Sequence, residues 1–168
     1  MRRPRLAVFK FASCDGCQLS LLSLEDELLA LSAKLEVVYF LEATSRIEPG
    51  PYDIALVEGS ITTPHDAQRI RQVRQDSKFL VTIGACATAG GIQALRNGVF
   101  GAHWVTRIYS HPEAISSLAQ STPISSHVEV DFELWGCPVS GSQMLAVVNS
   151  LLLGVAPRDN ADKVCTEC

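Results

Sequence analysis

Six cysteines are the residues of this 168-residue chain best equipped for chemistry, and their spacing narrows what that chemistry is. Cys14 and Cys17 lie in Ser13-Cys14-Asp15-Gly16-Cys17-Gln18-Leu19-Ser20, between an apolar run at 6–11 and a leucine-rich stretch. Two thiols at C-x-x-C spacing serve as a redox disulfide, half of a zinc site or half of an iron–sulfur site. The other cysteines discriminate. Cys86 sits in Gly84-Ala85-Cys86 and Cys137 in Gly136-Cys137-Pro138, each beside a glycine that lets backbone N–H groups approach a ligand closely. Cys165 and Cys168 form a second C-x-x-C at the end of the chain.

Thiols separated by more than a hundred positions act together only if the fold gathers them. Residues 5–11 are rich in β-formers and predict a first strand. Leucines at 19, 22, 28, 29 and 31, with acidic residues between them, predict one amphipathic helix over 17–31. Strands follow at 35–40, 54–57 and 79–83, and a fifth alternates over 128–134. Thr63 as N-cap and Pro64 in the first turn predict a helix running to about residue 75. Shorter helices are expected at 90–95 and 112–120, irregular chain at 97–112, and a last helix at 142–153. Strands alternating with helices, some short and wholly apolar, predict an α/β, flavodoxin-like parallel sheet with helices on both faces. One domain is expected over 1–155, followed by a polar tail at 156–168.

In an open α/β sheet, ligands bind outside the carboxyl ends of the strands. Cys14 and Cys17 follow strand one, Cys86 strand four and Cys137 strand five, so all four thiols leave the same edge. Four converging thiolates make a zinc site or an iron–sulfur cluster. Zinc held by four cysteines usually draws on two short knuckles, whereas here only the first pair is adjacent. A cubane is larger and suits four scattered corners, so the pattern favours [4Fe–4S], with a structural zinc protein as the alternative. A thioredoxin-like role for Cys14 and Cys17 needs no third or fourth cysteine. The glycines at 84–91 lack the lysine of a phosphate loop. Glu58, at the end of strand three, reads as a polar group aimed at a partner surface in preference to an ordinary helix-start carboxylate.

Composition bounds the rest. A net charge of −4 argues against a nucleic-acid grip, and no run approaches the length of a membrane span. No secretory signal precedes Lys10, so a cytoplasmic address is expected, where cysteines serve as ligands and not as a disulfide framework.

Taken together, Cys-Asp-Gly-Cys-Gln-Leu-Ser at 14–20, Val-Glu-Gly-Ser at 57–60, Gly-Ala-Cys-Ala at 84–87 and Gly-Cys-Pro at 136–138 resemble the small subunit of NiFe hydrogenases. The likeness is greatest to the cytoplasmic, pyridine-nucleotide-linked group that includes sulfhydrogenase delta subunits, and it runs from about residue 5 to 153. The resemblance implies that Cys14, Cys17, Cys86 and Cys137 hold a proximal [4Fe–4S] cluster. It also implies a large subunit bearing the NiFe centre packed on that face, and diaphorase-type or ferredoxin-like subunits beyond it. This chain would then relay electrons in an NAD(P)-linked oxidoreductase and carry no catalytic residue itself. The related complex I subunit has adjacent cysteines at the first motif, so Cys-x-x-Cys departs from that branch, and a complex I-like or other hydrogenase-related electron-relay subunit stands as the alternative. Longer relatives continue into a segment with further clusters. Cys165 and Cys168, two thiols alone, read as a vestige, a truncation point or a pair completed by a neighbouring subunit.

Overall fold

The computed structural model describes residues 2–98 and 101–158, of 101–104 the backbone alone. Cys165 and Cys168 lie outside the described residues. Five parallel strands form one sheet: β1 (Arg5–Lys10), β2 (Glu36–Phe40), β3 (Tyr52–Glu58), β4 (Ser77–Ile83) and β5 (Phe132–Leu134). Their order, β2-β1-β3-β4-β5, is the flavodoxin-like order expected. Strand alternation sends Leu6, Val8, Ile54, Leu56, Val81 and Ile83 to one face. There they pack with Leu21, Leu31, Met144 and Val147 from helices α1 (Gly16–Leu22), α2 (Asp26–Lys34) and α6 (Gly141–Leu152). Ala7, Phe9, Ala55, Val57 and Leu80 point the other way, onto Ile70 and Val73 of α3 (Pro64–Gln75) and Ala87 of α4 (Gly84–Ala89). Burial on both faces explains why these strands are continuously apolar.

Several boundaries differ from the expectation. The helix expected over 17–31 is two, broken where Glu25 takes a φ of 38° and Leu24 lies against Gly141 at the start of α6. The acidic residues that looked like an outer face open α2, where Asp26 and Glu27 complement the positive end of the helix dipole. Thr63 caps α3 as expected, exchanging bonds with Asp66 in a capping box. Residues 84–89 are helical, ahead of the helix expected at 90–95, and 91–97 form a 3₁₀ helix. A helix, α5 (Gly101–Ile108), occupies the segment expected to be irregular. The helix expected at 112–120 is reduced to a 3₁₀ turn at Pro112–Ala114, because Leu118 donates its N–H to the Thr62 carbonyl (2.8 Å). Strand five covers only 132–134. Just before it, the Asp131 carboxylate takes the Leu80 N–H at 2.7 Å, a place the ladder would otherwise use.

Candidate functional site

The carboxyl edge of the sheet collects the groups the sequence singled out. Cys14 and Cys17 follow β1, with Cys17 in the first turn of α1. Cys86 lies in the first turn of α4, directly after β4, and Cys137 lies three residues beyond β5. Cys17 is buried, Cys86 half-buried, and Cys14 and Cys137 exposed; all four are free thiols. Cys86 feels the charges of Cys14 and Cys137, and Cys17 that of Cys86, so the four are electrostatic neighbours. The loop contacts agree. A Cβ on Gly16 would lie 3.4 Å from Cys14 Sγ and 3.6 Å from Pro138, which puts the first motif against the Gly136-Cys137-Pro138 loop. The Ala85 N–H donates to the Gly136 carbonyl at 2.7 Å, tying the start of α4 to the Cys137 loop. Among the described residues, no three His, Cys, Asp or Glu side chains close tightly enough to grip a single metal ion.

Two glycines make room for sulfur. Gly84 has a φ of +83°, and a Cβ there would stand 2.3 Å from Cys17 Sγ; at Gly91, with φ +57°, it would stand 2.5 Å from Cys86 Sγ. Any side chain at either position would be strained and would overlap a thiol. Backbone donors then reach the same atoms, Val139 N–H to Cys17 and Ile92 N–H to Cys86. Burial pushes the Cys17 thiol up to about 12, and the negative charge of Glu58 and Cys86 adds to the rise, while the Val139 N–H opposes it. Cys86 is raised for the same first reason, burial, with the Ile92 N–H working against it and the charges of Cys14, Cys137 and Glu58 adding to it. Without an electrophile these two thiols keep their protons; a metal that takes them as thiolates must displace those protons.

The first motif is held from both sides. Asp15 sits in the left-handed region at φ 68°, which aspartate tolerates better than most residues. Its carboxylate takes the Lys10 ammonium and the Ser13 hydroxyl. Inside, Glu58 accepts the Cys17 N–H at 3.2 Å through one oxygen and the Gln18 side-chain amide at 2.7 Å through the other. This corrects the expected surface role of Glu58. It is 2% exposed, because Ile54, Leu56 and Glu58 share a parity that points to the buried α1 face. Gln18, equally buried and passed over by sequence reasoning, belongs to the site through this bond. Three large apolar residues close in sequence to the cysteine motifs are exposed: Leu19, Ile92 and Trp135.

Comparison with known proteins follows this geometry. The family model described as NADH ubiquinone oxidoreductase, 20 kDa subunit, matches residues 14–151. Sulfhydrogenase 2 subunit delta of Pyrococcus furiosus is 34% identical over 98% of this chain and 68% of its own length. A subunit of the vhu F420-non-reducing hydrogenase of Methanocaldococcus jannaschii is 32% identical over 98% of this chain, which spans 61% of that relative. A chain of the crystal structure of NAD+-reducing NiFe hydrogenase in the H2-reduced state superposes with a TM-score of 0.86 at 28% identity, covering 95% of this chain and 97% of that one. The resemblance to hydrogenase small subunits that the four motifs carry is therefore met by whole-chain similarity in sequence and in fold. No helix among the described residues is long and apolar enough to cross a membrane.

Proposed function

We infer the function from one premise: this chain belongs to the family of the 20 kDa subunit of NADH ubiquinone oxidoreductase. On this reading it is the electron-transfer small subunit of a NiFe hydrogenase, and Cys14, Cys17, Cys86 and Cys137 hold a proximal [4Fe–4S] cluster. Hydrogen is turned over at a NiFe centre in a large subunit. Electrons pass through this chain to diaphorase-type or ferredoxin-like subunits, coupling hydrogen to NAD(P) in the cytoplasm. The observation that carries the reading is the gathering of four thiols, far apart in sequence, at one edge of the sheet.

The site fits a cubane in three respects. Its donors are thiols only, the usual ligand set of such clusters. Its thiols come singly or in one close pair from three separate segments at one edge of the sheet, an arrangement that suits the corners of a larger object. Gly84 and Gly91 leave space against sulfur that a Cβ would fill.

When bound, the cluster supplies one-electron storage at a potential set by net charge, hydrogen bonds to sulfur and solvent exposure. The chain's own residues act on each of these. The Val139 and Ile92 N–H groups stabilise negative charge on the sulfurs of Cys17 and Cys86. Leu19, Ile92 and Trp135 offer the apolar surface on which a large subunit packs, and that packing keeps water from Cys14 and Cys137.

The test is co-purification of the chain with its native partners, followed by analysis for iron, nickel and zinc. The expected result is a brown complex with nickel in the partner, iron on this chain in the amount of one cubane, and visible absorption that bleaches on reduction. A colourless chain carrying one zinc would overturn the reading.

A further inference from the structure

The relay reading leaves one buried charged group without a task. Glu58 is 2% exposed at the carboxyl end of β3, on the face that carries Cys17. Its two oxygens meet two donors, the Cys17 backbone N–H at 3.2 Å and the Gln18 amide at 2.7 Å, so both oxygens act as acceptors. Lys10 is its partner in the β1–β3 register, yet the Lys10 ammonium is taken by Asp15 and lies 3.9 Å from Glu42. Among the described residues Glu58 forms no ion pair; the Lys10 ammonium feels its charge from a distance, and its direct partners are the two hydrogen-bond donors.

We propose that Glu58 is the positioning residue of the cluster, fixing Cys17 through its backbone and, as a buried negative charge beside that ligand, holding the cluster potential low. The inference rests on the reading of these thiols as cluster ligands. Two physical effects combine in it. A carboxylate that takes the Cys17 N–H sets where α1 begins, and so where the Cys17 sulfur points. A fixed negative charge beside a redox group favours its oxidised, less negative state, and net charge is one of the levers on cluster potential. Burial makes the charge count for more than it would in water.

The experiment is a redox titration of the reduced-cluster signal by electron paramagnetic resonance, on the intact complex, for wild type, Glu58→Gln, Glu58→Asp and Gln18→Leu. Glu58→Gln keeps the shape, since the Gln18 amide can turn over to meet it, but removes the charge. Its midpoint rises, so that at the wild-type midpoint the ratio of reduced to oxidised cluster increases about tenfold, or about 59 mV for a one-electron couple. Glu58→Asp keeps the charge with a shorter reach, and its midpoint stays near wild type while less iron is retained. Gln18→Leu keeps the charge and shifts the midpoint less than Glu58→Gln does.

A wild-type complex without a cubane signal overturns the underlying reading and this inference together. A normal wild-type signal with an unshifted Glu58→Gln midpoint overturns the inference alone. Where Glu58→Gln holds too little cluster to titrate, partial retention in Glu58→Asp with a midpoint near wild type supports the inference, and complete loss in both variants overturns it in favour of simple packing.

Discussion

The two ends of the sheet use polar residues for different purposes. At the amino end they tie one element to another in contact with solvent. Asp53 takes the backbone N–H of Arg5 at 2.8 Å and the Arg2 guanidinium at 3.0 Å, while Arg5 reaches Glu48 at 2.9 Å. Arg46 bridges Glu36 and Glu48, and Arg74 meets Asp131 just before β5. At the carboxyl end the polar groups turn inward and hold a loop: Glu58 on Cys17 and Gln18, and Asp15 under Lys10. Glycines with positive φ stand against sulfur there. The amino end is built for stability and the carboxyl end for placing thiols. Damage at the two ends should therefore show in different measurements.

The largest effect separating them is expected from Gly84→Ala. The added methyl would sit on the Cys17 sulfur at a backbone angle that L-residues avoid. Iron on the purified chain should fall at least severalfold while circular dichroism still reports the sheet and helices. Full iron content in this variant would break the comparison.

At the other end Asp53→Ala removes a charge-assisted bond to the Arg5 N–H, and the expected cost is about 1–2 kcal/mol in chemical unfolding. Its iron content should match wild type, and parallel loss of iron would show that the two ends are not separable.

The smallest effect sharpens the boundary between them, on the turn that brings the chain back from the carboxyl edge to β5. His127 bonds Thr122 at 2.7 Å, and burial, with Arg71 beyond it, holds its imidazole below the usual value near 6.5. The unfolded chain then binds a proton that the folded chain refuses. Stability rises with pH through the window below 6.5 and is lost as pH falls through it. His127→Gln should flatten that slope in thermal melts between pH 5 and 7, with iron unchanged. An equally steep slope in the variant would assign the dependence elsewhere.

Much of this was legible in the residues. Each thiol closes an apolar run, so its place at the carboxyl edge follows once the runs are read as parallel strands. The helix at 84–89 has a local signal of its own, since Ala85, Ala87 and Ala89 favour helix strongly. The direction of Glu58 was also available, because it shares parity with Ile54 and Leu56 and must enter the same buried face. Other features were not local. Nothing near 112–120 announces that Leu118 will bond the Thr62 carbonyl, a tie between segments more than fifty residues apart that overrides helical spacing. The break at Ser23–Glu25 depends on Leu24 meeting Gly141, far along the chain. The bond from Leu80 to Asp131, which delays β5, is likewise a property of the assembled sheet.

The most direct test of the central claim is iron per chain in Cys86→Ser, a thiol that arrives singly at the end of β4, far in sequence from the first pair. If the four cysteines grip one cluster, this substitution removes most of the iron and the reduced-state paramagnetic signal while the α/β fold persists. Wild-type iron and an unchanged signal in Cys86→Ser would contradict the account.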